Sequence, residues 1–354
     1  VADERKDLSK MEYRMLGRSG CVVSTLALGT MTFGTESDEA TAFSQLDRFV
    51  EVGGILIDTA DVYSAGVSEE IVGRWLSSRS KDVRRQIVLA TKGRFPTGTS
   101  PNDVGLSRRH LVFALEDSLR RLGVETIDLY QVHSHDPHTP IDETLRFLDD
   151  AISAGKIHYA GLSNFTAWQL QKALDVADAK NLSRPVTLQL QYNLLVREIE
   201  WEIIPACAAE GLGLLSWSPL GGGWLTGKYT KDERPTGETR LGENPSRGVE
   251  AYDRRSRLQR TWDVIGAVHE IATSRGVSMA QVALAWVLDR PMVTSVILGA
   301  RTLDQLDDNL GAASLHLSPK ETEQLDAVSD PDPADYPYGG PGVEQRSRKI
   351  KGDR

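Results

Sequence analysis

Apolar residues alternate between two rhythms along this chain. Short apolar runs occur at Leu26–Leu28, Ile55–Asp58, Ile87–Thr91, Leu129–His133, His158–Leu162, Thr187–Gln191, Gly213–Trp217 and Val293–Leu298. Runs this short, bounded by turn residues, read as buried strands. Between them, apolar positions recur every three or four residues, the spacing of one helical face. In Ser107–Leu122 that face carries Leu111, Leu115, Leu119 and Leu122. Thr41–Val52, Val67–Leu76, Ile141–Ala154, Thr166–Asn181, Trp201–Glu210 and Leu258–Arg275 also read as helices. Ser278–Gln281, Thr302–Gln305 and Ser318–Glu321 each fit the S/T-x-x-E/Q capping box, which predicts three further helix starts.

Alternating strands and helices predict a parallel sheet. Eight strand runs are the count for a closed (β/α)8 barrel, the TIM-barrel architecture. The first run continues as LGTMTFG and carries no G-x-G-x-x-G fingerprint, which argues against an open, doubly wound sheet. Ahead of it, EYRML and CVVSTL flank Gly17-Arg18-Ser19-Gly20, predicting an N-terminal β-hairpin that could plug the barrel floor. The expected organisation is one barrel domain over residues 1–354, with extra C-terminal helices and tails at 1–10 and 331–354. Lys228–Arg257, rich in Gly, Pro and charge, interrupts the alternation as a long loop expected to pack loosely. Pro331–Arg354, with Tyr336 and Tyr338, ends in RSRKIKGDR and reads as a solvated tail.

Chemistry in a parallel barrel sits where the strands end. The second strand runs into Asp58, with Tyr63 five residues on. The third ends at Lys92 and the fourth at His133. Each has an ordinary structural explanation: a helix cap for Asp58, a rim aromatic for Tyr63, a solvated strand end for Lys92, a packed core imidazole for His133. Their joint occurrence at three consecutive strand ends is what points to a site. The four types suit proton delivery to a carbonyl oxygen gaining negative charge. A free phenol, with a pKa of about 10, is a weak acid at neutral pH. A nearby ammonium lowers that value and a carboxylate keeps the ammonium in place. An imidazole can aim the carbonyl by a hydrogen bond. The missing reactant is a hydride donor.

Composition narrows the partners. Lys+Arg is 41 and Asp+Glu is 50, a formal charge of −9. That balance argues against nucleic acid as the main partner, though one local cationic pocket for a phosphate-bearing cofactor stays open. No apolar stretch approaches the roughly 18 residues of a membrane span. The first residues, VADERKDLSK, lack the apolar core of a signal peptide. Cys21 and Cys207, the only cysteines, make neither a disulfide framework nor a metal cluster and fit a reducing cytosol. The expectation is a cytoplasmic globular protein with no bound metal. Homo-oligomerisation is left open.

The ordered motifs LALGTMTFG, IDTADVYSAGVSEEIVGRWL, VLATK, LYQVHSHD, AGLSNF, LQYNLL, LLSWSPLGGGWLTGKY and ILGARTLDQLDDNL resemble those of aldo-keto reductases, from about Glu12 to Ser329. Within that family the chain is most similar to the bacterial and potassium-channel β-subunit-like branch. The resemblance implies a tetrad of Asp58, Tyr63, Lys92 and His133, with Tyr63 the proton donor, and NADPH held across the barrel mouth. It places Ser163, Asn164 and Gln191 at the nicotinamide carboxamide and Trp217 against the nicotinamide ring, with Gly29, Thr30 and Met31 nearby. Ser218, Leu220, Gly222 and Gly227 fall in the pyrophosphate loop. Gly299, Arg301, Gln305, Asp308 and Asn309 fall at the adenosine end. Arg301, beside a helix start, is the candidate for the 2′-phosphate, because Ala300 stands where the family often has a hydroxyl or a cation. The loop Lys228–Arg257 would lie over the cofactor and carry substrate specificity, and Trp224 would face the pocket or anchor that loop.

The implied activity is reduction of small-molecule aldehydes or ketones, reversible as alcohol oxidation. Three alternatives stay open. One is a cofactor-binding regulatory subunit with slow turnover, and another a lyase using Lys92 as a Schiff-base amine. The third, a metal hydrolase built on His133, His135 and Asp136, lacks a complementary ligand set.

Overall fold

The computed structural model describes residues 11–231, 233–237, 239–244, 250–332 and 337–338. Eight parallel strands close into a barrel: β3 (Leu26–Gly29), β4 (Leu56–Asp58), β5 (Val88–Gly93), β6 (Ile127–Val132), β7 (Ile157–Ser163), β8 (Thr187–Gln191), β9 (Gly213–Trp217) and β10 (Val293–Leu298), with β10 pairing back onto β3. The order in the sheet is the order in the sequence. β3, β5 and β10 are buried along their whole length, which is why the sequence shows short apolar runs rather than strict alternation.

Helices follow the strands: α1 (Glu39–Glu51), α2 (Val67–Ser78), α3 (Lys81–Gln86), α4 (Arg108–Leu122), α5 (Ile141–Ser153), α6 (Ala167–Ala179) and α7 (Ile203–Glu210). In α4 the leucine stripe is buried, the Ser107 side chain caps the first turn by accepting from His110 N, and Gly123 ends the helix with φ of 65°. After β9 come α8 (Arg240–Glu243), α9 (Tyr252–Arg255), α10 (Gln259–Arg275) and α11 (Met279–Leu288). After β10 come α12 (Leu303–Leu310) and α13 (Pro319–Ser329), the last lying against α10.

All three predicted capping residues, Ser278, Thr302 and Ser318, begin helices. Only Ser318 forms the reciprocal box, with Glu321 accepting from its backbone N–H. Gln281 instead donates to Asp308, and Gln305 accepts from Arg301 N. Gln281 thus ties its helix to α12, while Gln305 holds the residue just before its own N-cap.

The hairpin forms as β1 (Tyr13–Met15) and β2 (Val22–Ser24), antiparallel. Leu16 and Val23 join Ala27, Leu56, Val88, Leu129 and Leu215 in the cluster that fills the barrel. Arg14 fastens the hairpin by donating to the carbonyls of Val293 and Leu288. Gly17, at φ of 57°, lets the turn approach closely, since a Cβ there would sit 2.1 Å from the Val186 carbonyl oxygen. The hairpin therefore covers the floor, at the end of the barrel opposite the strands' C-terminal ends.

The long segment after β9 departs from expectation. Among its described residues Tyr229, Leu241 and Tyr252 are buried in the outer core. Trp224, fully buried, stacks on Tyr252 with ring centroids 5.5 Å apart and donates to the Glu250 carbonyl. Three aromatic rings supply enough buried area to hold a polar segment down. Trp224 thus anchors the segment and does not face the cavity. Of the expected tails at 1–10 and 331–354, residues 1–10, 333–336 (with Tyr336) and 339–354 lie outside the described residues; Tyr338 stacks on Trp201 with ring centroids 5.7 Å apart. Among the described residues no single helix is long and apolar enough to cross a membrane, and no group of three or more His, Cys, Asp or Glu is placed to hold a metal ion.

Candidate active site

A cavity of about 640 Å3 opens at the C-terminal mouth. Register carries the polar residues to it. Gly29 pairs with Asp58 and Lys92 with Gln131, while Gln189 pairs with both Ser163 and Leu215. Period-two alternation points Gln131 and Gln189 into the barrel beneath the rim.

The centre is an ion pair. Lys92 Nζ donates to Asp58 Oδ2 at 2.5 Å, to the Thr59 carbonyl at 2.8 Å and to Tyr63 Oη at 3.3 Å. Lys92 is fully buried and Asp58 nearly so. Gln189 and Gln131 donate to the other oxygen, Asp58 Oδ1, at 2.9 and 3.3 Å. The buried carboxylate therefore has a donor on each oxygen, as a buried charge requires. Tyr63 opens a short 3-10 turn in which Ser64 and Ala65 hold φ of 50° and 54°. Backbone in that left-handed region is strained for L-residues and persists where its surroundings fix it. Ser64 Oγ donates to the Phe33 carbonyl, one such fixing contact.

The electrostatics follow from burial against neighbouring charge. Burial disfavours the Lys92 ammonium, but Asp58 and Tyr63 outweigh it and hold the group above the ordinary lysine range. Burial pushes the Tyr63 phenol up, Lys92 pulls it down only in part, and Asp58 adds to the rise. The expectation that the ammonium would leave the phenol more acidic than usual is thus corrected: Lys92 acts in that direction, but desolvation wins. Tyr63 stays protonated at neutral pH. Burial, then the charges of Lys92 and Arg94, hold His133 well below the usual imidazole range, so it is neutral. Its ring meets Tyr63 and Phe95 edge-on, with centroids 5.9 and 4.6 Å away.

A phenol that keeps its proton beside a buried ammonium, with a neutral imidazole across the cavity, is an acid poised to serve an oxygen. Comparison with known proteins gives the family. The sequence profile described as the Aldo/keto reductase family matches residues 25–330. The chain belongs to the aldo/keto reductase family. It is 37% identical to the uncharacterized oxidoreductase YrpG of Bacillus subtilis, an alignment covering 94% of this chain and 98% of that one. It is 37% identical to a probable voltage-gated potassium channel subunit beta of Oryza sativa, covering 90% and 96%. It is 34% identical to the versiconal hemiacetal acetate reductase of Aspergillus parasiticus, covering 89% and 96%. An oxidoreductase enzyme is what this membership supports.

In this aldo/keto reductase most of the predicted cofactor residues do line the cavity. They are Gly29, Met31, Asp58, Ser163, Asn164, Trp217, Ser218, Leu220, Gly222, Gly299, Arg301, Gln305, Asp308 and Asn309, with Tyr63 and His133 beside them. Asn164 accepts from Trp217 Nε1 at 3.1 Å and donates to the His133 carbonyl, fixing both ring and amide. Asn164 and Ser218 hold φ of 55° and 53°, further strained backbone at the mouth.

Four predicted residues are not in the lining. Lys92 lies directly behind Asp58 and Tyr63. Thr30 is buried below the rim, where Ser68 Oγ donates to it. Gly227 lies just behind the lining residue Met279, whose sulfur a Cβ there would meet at 2.6 Å. Gln191 is the substantive correction: its amide donates to Glu250 at 2.8 Å, and Gln189, two residues earlier on the same strand, lines the cavity instead. Lys228 and Arg240, from the long segment, also line it and were not anticipated. A nicotinamide nucleotide fits this set. The cavity offers amide-matching groups at Ser163, Asn164 and Gln189, an aromatic face at Trp217 and a turn with Gly222 and Gly223 at φ of 66° and 98°. At the far end it offers cations. At Gly222 the left-handed φ disfavours a side chain, and a Cβ would crowd the Glu250 carboxylate.

A second acid sits beneath the site. Asp61 is 2% exposed. Burial, then the charge of Glu69, push its carboxyl up to about 8, with Arg121 and Lys92 offsetting only part. The folded value lies above the unfolded one of about 3.9, so the stability associated with this group is fully present below about pH 4 and lost as pH rises through about 8. Asp61→Asn is expected to remove that loss and gain on the wild type progressively across the window. Urea midpoints at pH 5 and pH 8 measure it. An equal difference between variant and wild type at both pH values would show that Asp61 is ionised without penalty.

Proposed function

We propose that this aldo/keto reductase reduces aldehyde or ketone groups of small molecules with NADPH, Tyr63 serving as general acid. The observation that carries the reading is Lys92 Nζ within hydrogen-bonding distance of both Asp58 and Tyr63. When bound, the nicotinamide supplies the hydride. Ser163, Asn164 and Gln189 hold its carboxamide and Trp217 packs on its ring, so that one face is presented to the substrate. The glycine turn offers backbone N–H groups to phosphate oxygens, and Lys228 and Arg240 supply positive charge beside it.

A substrate carbonyl oxygen between Tyr63 Oη and the neutral His133 ring meets two hydrogen-bond donors, His133 contributing through whichever ring nitrogen carries the proton. As that oxygen gains charge, Tyr63 passes it a proton and Lys92 stabilises the phenolate left behind. Asp58 keeps the ammonium charged and in place.

The test is a panel of aldehydes, ketones and sugars with NADPH and NADH, followed at the nicotinamide absorbance. Turnover above background with at least one class supports the reading. Tight nucleotide binding with no turnover across the panel would replace it with a regulatory role. Loss of activity on borohydride treatment with a carbonyl substrate would replace it with a Schiff base on Lys92.

A further inference from the structure

Arg301 is expected from sequence to meet the 2′-phosphate of NADPH, yet its guanidinium already lies between two carboxylates from different parts of the fold. Nε donates to Glu36 Oε2 at 2.5 Å. Nη1 and Nη2 donate to Glu243 Oε1 and Oε2 at 2.9 and 3.1 Å, the two-pronged arrangement that a phosphate would also adopt. The carboxylates are not equivalent. The Glu36 side chain, from the loop after β3, is 14% exposed, and that of Glu243, at the end of α8 in the long segment, is 45% exposed. The buried partner has little freedom to leave. The half-exposed one can turn out to solvent at small cost, because exposed ion pairs are weak.

We propose that Glu243 is an intramolecular competitor for the 2′-phosphate and is the residue that sets this chain's choice between NADPH and NADH. The inference rests on the reading of the cavity as a nicotinamide nucleotide site. Glu36 orients Arg301 through Nε and stays. Glu243 occupies the forked edge, so NADPH binds Arg301 only by displacing it. NADH, with no 2′-phosphate, binds without that exchange. The preference for NADPH is therefore smaller than an uncontested arginine would give, and the missing part lies in Glu243. Because Glu243 belongs to the segment that carries Lys228 and Arg240 into the cavity, its release also frees that segment's Arg301 tether when NADPH enters and not when NADH does.

The experiment is nucleotide binding, read from quenching of tryptophan fluorescence, for the wild type, Glu243→Gln, Arg301→Ala and the double variant. Glutamine keeps the shape of Glu243 and removes its charge. Glu243→Gln is expected to tighten NADPH about three- to tenfold and to leave NADH within about twofold. In the Arg301→Ala background the same substitution is expected to change neither affinity by more than about twofold. Unchanged NADPH affinity in Glu243→Gln overturns the proposal, as does an equal gain when Arg301 is absent, which would reduce the effect to general repulsion. A wild type that binds neither nucleotide overturns the nucleotide site itself. A wild type that binds both, with no response to Glu243→Gln, overturns only the role of Glu243.

Discussion

Tyr63→Phe is expected to lower carbonyl reduction about 10²–10⁴-fold, the usual scale for a positioned general acid, while nucleotide affinity and fold are retained. The substitution removes one oxygen and keeps the ring. That ring lies 4.9 Å from Lys92 Nζ and meets His133 edge-on, contacts that phenylalanine reproduces. What disappears is the hydroxyl whose oxygen lies 3.3 Å from Lys92 Nζ, and with it the transferable proton. Because burial holds the phenol above its ordinary range, reduction by the wild type should stay flat through neutral pH. It should fall only above about pH 10, where tyrosine ionises. Steady-state rates across that range, with NADPH affinity measured in parallel, check both statements. Near-wild-type turnover in Tyr63→Phe would remove Tyr63 from the chemistry and leave the cavity as a nucleotide-binding site.

The strand ends were legible because parallel barrels bury their strands on both faces, so the strands that carry the site appear as compact, largely apolar runs with an ionisable residue at the mouth. Asp58, Lys92 and His133 could be located from that rule alone. Gln131 and Gln189 could have been found by the same route. LYQVH and TLQLQ place them at period two from the strand ends, on the inward face, where an amide can satisfy a buried charge. The choice of Gln191 over Gln189 shows what one-dimensional spacing lacks: both face the same way, and only the third dimension shows that Glu250 has claimed the outer one. Glu250 itself was invisible. It reaches the ends of β8 and β9 from more than thirty residues beyond Ser218, whose hydroxyl donates to it at 2.5 Å. The long segment misled for a related reason. Its apolar residues are few, but they are large and aromatic and converge on Trp224. The net tyrosine shift was also beyond sequence reasoning, because it is the difference between a desolvation cost and a nearby charge, and burial cannot be counted from a motif.

Lys92→Met should produce the largest loss of stability of any single change at the mouth. Methionine fills similar volume and leaves the barrel packing intact, so the cost isolates the charge. Lys92 and Asp58 have side-chain exposures of 0% and 3%. Breaking a buried pair by removing one partner typically costs about 3–5 kcal/mol, because a buried charge is left uncompensated. Gln189 and Gln131 still donate to Asp58 Oδ1, which argues for the lower end, about 3 kcal/mol. The double variant Lys92→Met with Asp58→Asn removes both charges and should regain much of the lost stability, since replacing both members of a buried pair is often near neutral. It should regain no activity, because Tyr63 would still lack the cation that stabilises its phenolate. Denaturant midpoints for the two single variants and the double, at pH 5 and pH 8, with turnover measured on each, complete the cycle. Two single-variant losses that simply add in the double would show that Lys92 and Asp58 do not act as a pair. Turnover that survived in Lys92→Met would show that Tyr63 does not depend on the ammonium for its proton transfer.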